Sequence, residues 1–210
     1  MLDDDTLAAL TALAGRLADA AGAAALPWFR APGLETGNKA GAGAFDPVTA
    51  ADRAAEEAAR AILARERPED AVLGEEGERT AGTSGLTWVI DPIDGTRSFI
   101  AGLPTWGVLI ALDDGRATRL GIVDQPYIGE RFGARLGPSG ADAWLARGGA
   151  RRALRVRPCA TLGDAVLLST APEMFAPPEL VGFSAVSRRC RLTRYGTDCY
   201  GYAMVAAGHA

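Results

Sequence analysis

The sequence has one histidine in 210 residues, and it stands next to last, at His209. A Ser-His-Asp triad, a Cys-His dyad or a His-rich zinc site would each depend on that single residue. Cysteine is almost as scarce. Cys159, Cys190 and Cys199 are odd in number and form no CxxC pair. That excludes a disulfide framework and a standard zinc ribbon, and it points to a reducing compartment. Each cysteine reads as a small buried apolar residue. Positive charge is in deficit as well: 22 Lys and Arg face 26 Asp and Glu, for a net charge of −4. A duplex binder needs surplus cations to displace counterions, so nucleic acid is not an expected partner. No run approaches the roughly 20 apolar residues of a membrane span. The start, Met1-Leu2-Asp3-Asp4-Asp5, is acidic where a signal peptide is basic. The expectation is a cytoplasmic protein with no membrane partner.

What is present suits a globular chain. Hydrophobic residues make up 48% and charged residues 23%, enough to build one domain over residues 1–210. Leu7, Leu10, Leu13 and Leu17 recur at helical spacing behind acidic residues, which predicts an amphipathic helix ending near Leu26-Pro27. Residues 31–47 are rich in Gly, Pro and Ala and read as a loop that carries Lys39 and Asp46. Thr49 and Asp52 form a capping box for a second helix running to about Arg65. Strands are then expected at 71–73, 88–90, 106–112, 120–123, 130–134, 143–146, 166–168 and 191–195, with a hairpin at Asp114-Gly115 and a last helix over 199–207. Helices, then mixed strands, then strand and helix suggest α+β or layered α/β rather than a doubly wound parallel sheet.

Chemistry concentrates between Glu75 and Asp94, where Glu75, Glu76, Glu78, Asp91 and Asp94 face one local cation, Arg79. Glu75 and Glu76 follow one expected strand and Asp91 follows another. Strands ending at the same edge bring these groups together, and crowded carboxylates need protons or a cation. All-oxygen donors select hard ions such as Mg²⁺. In Asp91-Pro92-Ile93-Asp94-Gly95-Thr96, Pro92 should stop the strand. The two Asp then share a tight turn, and Gly95 admits a ligand close to the backbone. Thr96-Arg97-Ser98 starts a helix able to receive an anion. Taken singly, these features have plainer readings: solvated loop charges at Glu75 and Glu76, helix caps at Thr49 and Asp52, core at Trp106, solvent at Arg97. Together they describe the parts of a phosphate ester hydrolase.

Gly74-Glu75-Glu76 followed by Trp88-Val89-Ile90-Asp91-Pro92-Ile93-Asp94-Gly95-Thr96 resembles the inositol monophosphatase family of metal-dependent phosphatases, and Asp46-Pro47-Val48-Thr49-Ala50-Ala51-Asp52 is similar to its upstream D-x-V-T-x-x-D element. The resemblance implies a layered αβαβα fold, with a metal-binding part over about 1–150 and the start of a second α/β part over about 151–210. It also implies a homodimer, two or three Mg²⁺ ions and inhibition by Li⁺. By the same resemblance Glu75 and Asp91 hold one Mg²⁺ with the Ile93 carbonyl, and Asp91 and Asp94 hold another. Thr96 and Glu75 position the attacking water, with Asp52 bonded behind Thr96. The Gly95 and Thr96 amides contact phosphate, Glu76 and Thr49 support the site from behind, and Lys39 matches a lysine of the loop before the second helix.

Two later segments bear on substrate. Leu168-Ser169-Thr170-Ala171-Pro172-Glu173-Met174-Phe175 resembles the S-T-x-P-x-M-F element of the histidinol-phosphate phosphatase branch, and Arg194-Tyr195-Gly196-Thr197-Asp198-Cys199-Tyr200-Gly201-Tyr202 is similar to its R-x-G-G-D-C-Y-x-Y element, with Thr197 in place of a glycine. The carboxylate of Asp198 favours a cationic substrate over a neutral polyol; its plainer reading is a helix cap. Inositol 1-phosphate, fructose 1,6-bisphosphate and 3′-phosphoadenosine 5′-phosphate are the alternatives. An aspartyl-phosphate mechanism lacks its DxDx[TV] pattern, since Asp91 and Asp94 are three apart. The family's third motif, W-D-x-A-A-G or K-P-Y-D, has no counterpart before Gly208-His209-Ala210. The expectation is a C-terminally truncated enzyme lacking one ligand of the second metal, with an inactive metal-binding pseudo-phosphatase as the other reading.

Overall fold

The computed structural model describes residues 2–34, 36–38 and 47–210. Helix α1 (Asp4–Ala25) opens on Asp3, whose carboxylate accepts the Thr6 amide at 2.7 Å. That satisfies one orphan N–H and sets negative charge at the positive end of the helix. Leu7, Leu10, Leu13 and Leu17 are all buried, each contributing about 1.5–3 kcal/mol. The stretch Asp4–Trp28, 25 residues, is by length and composition apolar enough to cross a membrane, contrary to the count of apolar runs; its alanines hide that property. Its leucine face is packed into the protein core.

The loop expected over 31–47 contains a short antiparallel ladder instead, β1 (Thr36–Asn38) against β2 (Pro47–Thr49). Three-residue strands are too short to show a period-2 pattern. Lys39 and Asp46 lie outside the described residues. Helix α2 (Ala50–Glu66) begins with the expected capping box. The Asp52 carboxylate accepts the Thr49 amide at 2.8 Å and its hydroxyl at 2.6 Å.

Seven strands form the main sheet: β3 (Ala71–Gly74), β4 (Thr87–Asp94), β5 (Gly107–Asp113), β6 (Thr118–Gln125), β7 (Glu130–Gly137), β8 (Gly140–Arg147) and β9 (Ala150–Ala153), in that spatial order. Only β3–β4 is parallel in this sheet; the other neighbours pair antiparallel. At the β5–β6 turn, Gly115 takes φ 79° and its amide meets Asp113 at 2.7 Å, as the Asp-Gly pair predicts. Trp88, Ile90, Val108, Ile110, Leu112, Leu120 and Ile122 are buried in one core with α1 and α2. The edge strand β9 escaped the pattern reading because its exposed Arg151 and Arg152 offer no apolar alternation. Such charges protect an open edge.

Helix α3 (Thr96–Ile100) follows β4 directly. The C-terminal part adds a parallel pair, β10 (Val166–Leu168) and β11 (Leu192–Arg194), joined by α4 (Pro177–Ser187), and then α5 (Asp198–Ala206). Helix α4 gives no sequence signal because it buries no apolar stripe. Helix α5 lies between the two sheets: Ala203 packs with Phe132 and Leu145, while Gly201 approaches Leu168. The layering is thus helix pair, large sheet, helix, small sheet with its α4 crossover, which matches the expected layered α/β class. One cysteine behaves as expected. Cys199 is buried, but Cys159 is exposed and Cys190 half-buried, because the segments that carry them leave most side chains in solvent.

Candidate active site

The register of the parallel pair builds the site. Gly74 is opposite Ile90, so the next residues, Glu75 and Asp91, leave the ladder side by side. Strand β4 does not stop at Pro92, as the sequence suggested, but runs on to Asp94. Asp91 pairs with Leu109 and Asp94 with Gly107, so two residues of β4 oppose one of β5. Pro92 needs no ladder partner inside that bulge. The bulge has a second consequence. Residues three apart on a regular strand point to opposite faces; one extra residue brings Asp94 round to the side of Asp91.

The electrostatics follow from this crowding. Burial, the charge of Glu75, a hydrogen bond with Glu75 and the charge of Asp94 push the Asp91 carboxyl up to about 8. Among the described residues, Asp91 Oδ1 is buried with no hydrogen-bond partner. Burial also raises Asp94, against the Cys199 amide, which donates to its Oδ2 at 2.7 Å. Among the described residues, no three acidic, histidine or cysteine side chains already stand at metal-ligating spacing; Asp94 is turned toward Cys199 and Asp91 toward Glu75. The donor set nevertheless fits a hard divalent ion. It is all oxygen, it carries excess negative charge, and the buried Asp91 Oδ1 has no partner among the described residues.

Thr96 sits behind these acids. Its hydroxyl lies 3.1 Å from the Ile93 carbonyl and 3.4 Å from Asp52 Oδ1. Asp52 and Thr49 are each 1% exposed, so α2 delivers its cap directly to the back of the site. Gly95 has φ 84°, a region that favours glycine. A Cβ there would lie 2.9 Å from the Asp198 Cβ, so the glycine makes room for a protein carboxylate as well as for a ligand.

Asp198 is not a helix cap: Thr197 occupies that position and makes no side-chain cap. Asp198 itself is a non-glycine residue at φ 43°, a conformation that costs about 1–2 kcal/mol. Ser98 and Thr105 donate to its Oδ2, the latter at 3.2 Å. The start of α5 is therefore tied to the 94–98 turn through Asp94, Ser98 and Asp198. Beside Asp198 opens a groove of about 480 Å³ walled by Leu168, Thr170, Phe175, Phe183 and Tyr202. The Cys199 thiol, buried beside Asp94, is pushed far up in pKa, mainly by desolvation, and is chemically inert.

The structure thus gathers Glu75, Asp91, Ile93, Asp94, Gly95, Thr96, Asp52, Thr49 and Asp198 in one place. Glu76 joins them through its backbone, whose amide donates to Glu56 at 2.7 Å. Glu56 and Thr105 escaped the sequence reading, and Ser98, expected only as part of an anion-receiving helix start, bonds to Asp198. Glu56 had a usable signal, since it falls on the apolar face of α2 with Ala55, Ala59 and Leu63. Thr105 had none.

Fold and site together define a layered α/β protein with an oxygen-only acidic site at the strand ends, suited to a hard cation. Residues 6–210 match the inositol monophosphatase family, and the chain belongs to that family. It is 36% identical to the bifunctional phosphatase IMPL2, chloroplastic, of Arabidopsis thaliana over 99% of this chain and 57% of that protein. It is 40% identical to a histidinol-phosphatase of Streptomyces coelicolor over 93% of this chain and 73% of that protein. Among solved structures, an inositol monophosphatase from Zymomonas mobilis is 41% identical with a TM-score of 0.74, covering 94% of this chain and 72% of that one. The chain spans little more than half of the Arabidopsis protein and about three quarters of the other two.

Proposed function

We propose that this chain carries the metal and phosphate site of a Mg²⁺-dependent phosphate monoester hydrolase, and that its substrate is histidinol phosphate. The observation that carries the reading is Asp198, a carboxylate held in a costly backbone conformation against Gly95 and facing the apolar groove. Strain at a non-glycine position persists where surrounding contacts demand it, and it marks functional sites. The similarity to a histidinol-phosphatase supports the choice of substrate. An inositol phosphate is the second reading, favoured by the similarity to the Zymomonas enzyme.

Glu75, Asp91 and Asp94 would hold Mg²⁺. When bound, the ion supplies positive charge that acidifies water and neutralises phosphoryl oxygens. The protein groups then have separate tasks. The Thr96 hydroxyl donates toward Ile93 or Asp52 and so offers a lone pair to the proton of the attacking water. Water oxygen bonds to phosphorus as its proton passes to solvent, the ester P–O bond breaks in line, and the departing alkoxide takes a proton from solvent, so no net proton is gained or lost. The turn from Gly95 into Thr96 receives the phosphate. Asp198 attracts the ammonium of the aminoalcohol, while the groove takes its ring. A homodimer and two or three ions belong to the same proposal.

The test is phosphate release from histidinol phosphate and from inositol 1-phosphate, each with and without Mg²⁺, on the wild-type chain and on Asp198→Asn. The variant should lose at least tenfold in kcat/KM toward histidinol phosphate and less than threefold toward inositol 1-phosphate. Wild-type turnover of inositol 1-phosphate alone would overturn the substrate assignment. Equal loss on both substrates would remove Asp198 as the selector.

A further inference from the structure

The chemistry above uses Asp52 of α2 and leaves a second buried acid of that helix without a role. Glu56, one turn further on, is 2% exposed. Its Oε2 accepts the Glu76 amide at 2.7 Å, and its Oε1 accepts the Gly77 amide at 2.9 Å and Arg60 Nε at 2.6 Å. Arg60 extends the clamp, reaching the Gly77 carbonyl at 3.4 Å and the Thr80 hydroxyl at 3.2 Å. The loop is cut to fit this carboxylate. A Cβ on Gly74 would lie 2.0 Å from Glu56 Oε1, and one on Gly77 would lie 2.8 Å from it. Glycine therefore stands on both sides of Glu75-Glu76 because the Glu56 carboxylate fills the space a side chain would need.

We propose that Glu56 is a positioning residue for the divalent cation: by fixing the 75–77 turn it sets the Glu75 carboxylate against Asp91. A single helix face then gauges the whole site. Asp52 reaches Thr96 at the end of β4 and Glu56 reaches the turn after β3, so α2 sets the distance between the two loops that supply the ligands. An ordinary i, i+4 ion pair on a helix surface is weak, because solvent screens both charges. Glu56 differs because two of its three donors belong to the ligand loop rather than to its own helix. The proposal rests on the reading that Glu75, Asp91 and Asp94 bind the metal.

Mn²⁺ binding followed by electron paramagnetic resonance tests it on the whole chain, with Glu56→Gln, Gly74→Ala and, as a control for lost stability, Leu63→Ala. Leu63 is a buried core residue of α2 outside the site. Groups that orient metal ligands typically contribute 10–100-fold in affinity. Glu56→Gln and Gly74→Ala should weaken Mn²⁺ by about that factor while their circular dichroism matches wild type. Leu63→Ala should lower the melting temperature and leave Mn²⁺ affinity within twofold. In turnover assays, raising Mg²⁺ should restore kcat of Glu56→Gln. Wild-type Mn²⁺ affinity in Glu56→Gln overturns the role of Glu56 and leaves the metal site standing. Equal weakening in Leu63→Ala also overturns it, since loss of stability then suffices. A wild-type chain that binds no Mn²⁺ removes the metal site and this inference together.

Discussion

Replacing Asp91 by Asn should stabilise the metal-free protein, and the amount depends on pH. In the fold, burial and the neighbouring carboxylates push the Asp91 carboxyl from 3.8 to about 8. Folding therefore takes up a proton throughout that range. A raised carboxyl destabilises the native state as pH climbs, because the unfolded chain gains by ionising and the folded one does not. The contribution of Asp91 to stability is most favourable below about pH 4 and falls until about pH 8, by about 1.4 kcal/mol per unit. By pH 7 the accumulated cost is about 4 kcal/mol. A chain of this size gains about 2–4 °C per kcal/mol. Asp91→Asn in EDTA should thus melt roughly 10 °C above wild type at pH 7 and within a few degrees of it at pH 4.5. Mg²⁺ inverts the order. Binding requires the ionised carboxylate, so saturating Mg²⁺ raises the wild-type melting temperature increasingly from pH 6 to pH 8 and leaves the variant nearly unchanged. Differential scanning calorimetry across pH, with EDTA or Mg²⁺, gives both slopes. If metal-free Asp91→Asn keeps the wild-type slope and gains nothing at pH 7, the carboxylate cluster is not crowded as described.

Gly95→Ala places a Cβ 2.9 Å from Asp198 at φ 84°; it should cost about 1–3 kcal/mol in denaturant unfolding and raise the Mg²⁺ concentration needed for half-maximal turnover, and wild-type values for both would refute the close approach. Asp70 accepts the Trp88 indole N–H at 2.9 Å and two bonds from Arg67. Although burial opposes ionisation, those donors hold its carboxyl below 3.8, so its stabilisation is present above about pH 4 and lost as pH falls through the lowered folded value. Asp70→Asn should cost about 3 kcal/mol at neutral pH and flatten the acid limb of the melting curve without touching Mn²⁺ affinity. Leu17→Ala, at a fully buried position of α1, should cost about 2–5 kcal/mol by urea titration; less than 1 kcal/mol would mean that the helix is not packed on the core.

Much of this molecule follows from local pattern. The leucine spacing of α1, the Thr49–Asp52 box and the Asp114-Gly115 hairpin are short-range features, and each forms as its residues dictate. The crowd of carboxylates from Glu75 to Asp94 was also visible as composition along the chain. What local pattern could not supply was the way those acids meet. Asp91 and Asp94 share one side because a bulge against β5 adds a residue between them, and a bulge is a property of two strands rather than one. Glu75 reaches Asp91 because β3 and β4 are parallel and in register, which no single segment records. Asp198 was legible as a residue, but its left-handed backbone and its bonds to Ser98 and Thr105 arise only when α5 meets the 94–98 turn about a hundred residues earlier in the chain. Glu56 reads as another helix carboxylate until the glycines at 74 and 77 fold over it. The sequence by itself determined which groups are available and which helices and strands hold them, because propensity, capping and turn chemistry act within a few residues. The tertiary structure decided which of those groups face one another, because register, bulges and helix docking depend on contacts between distant segments.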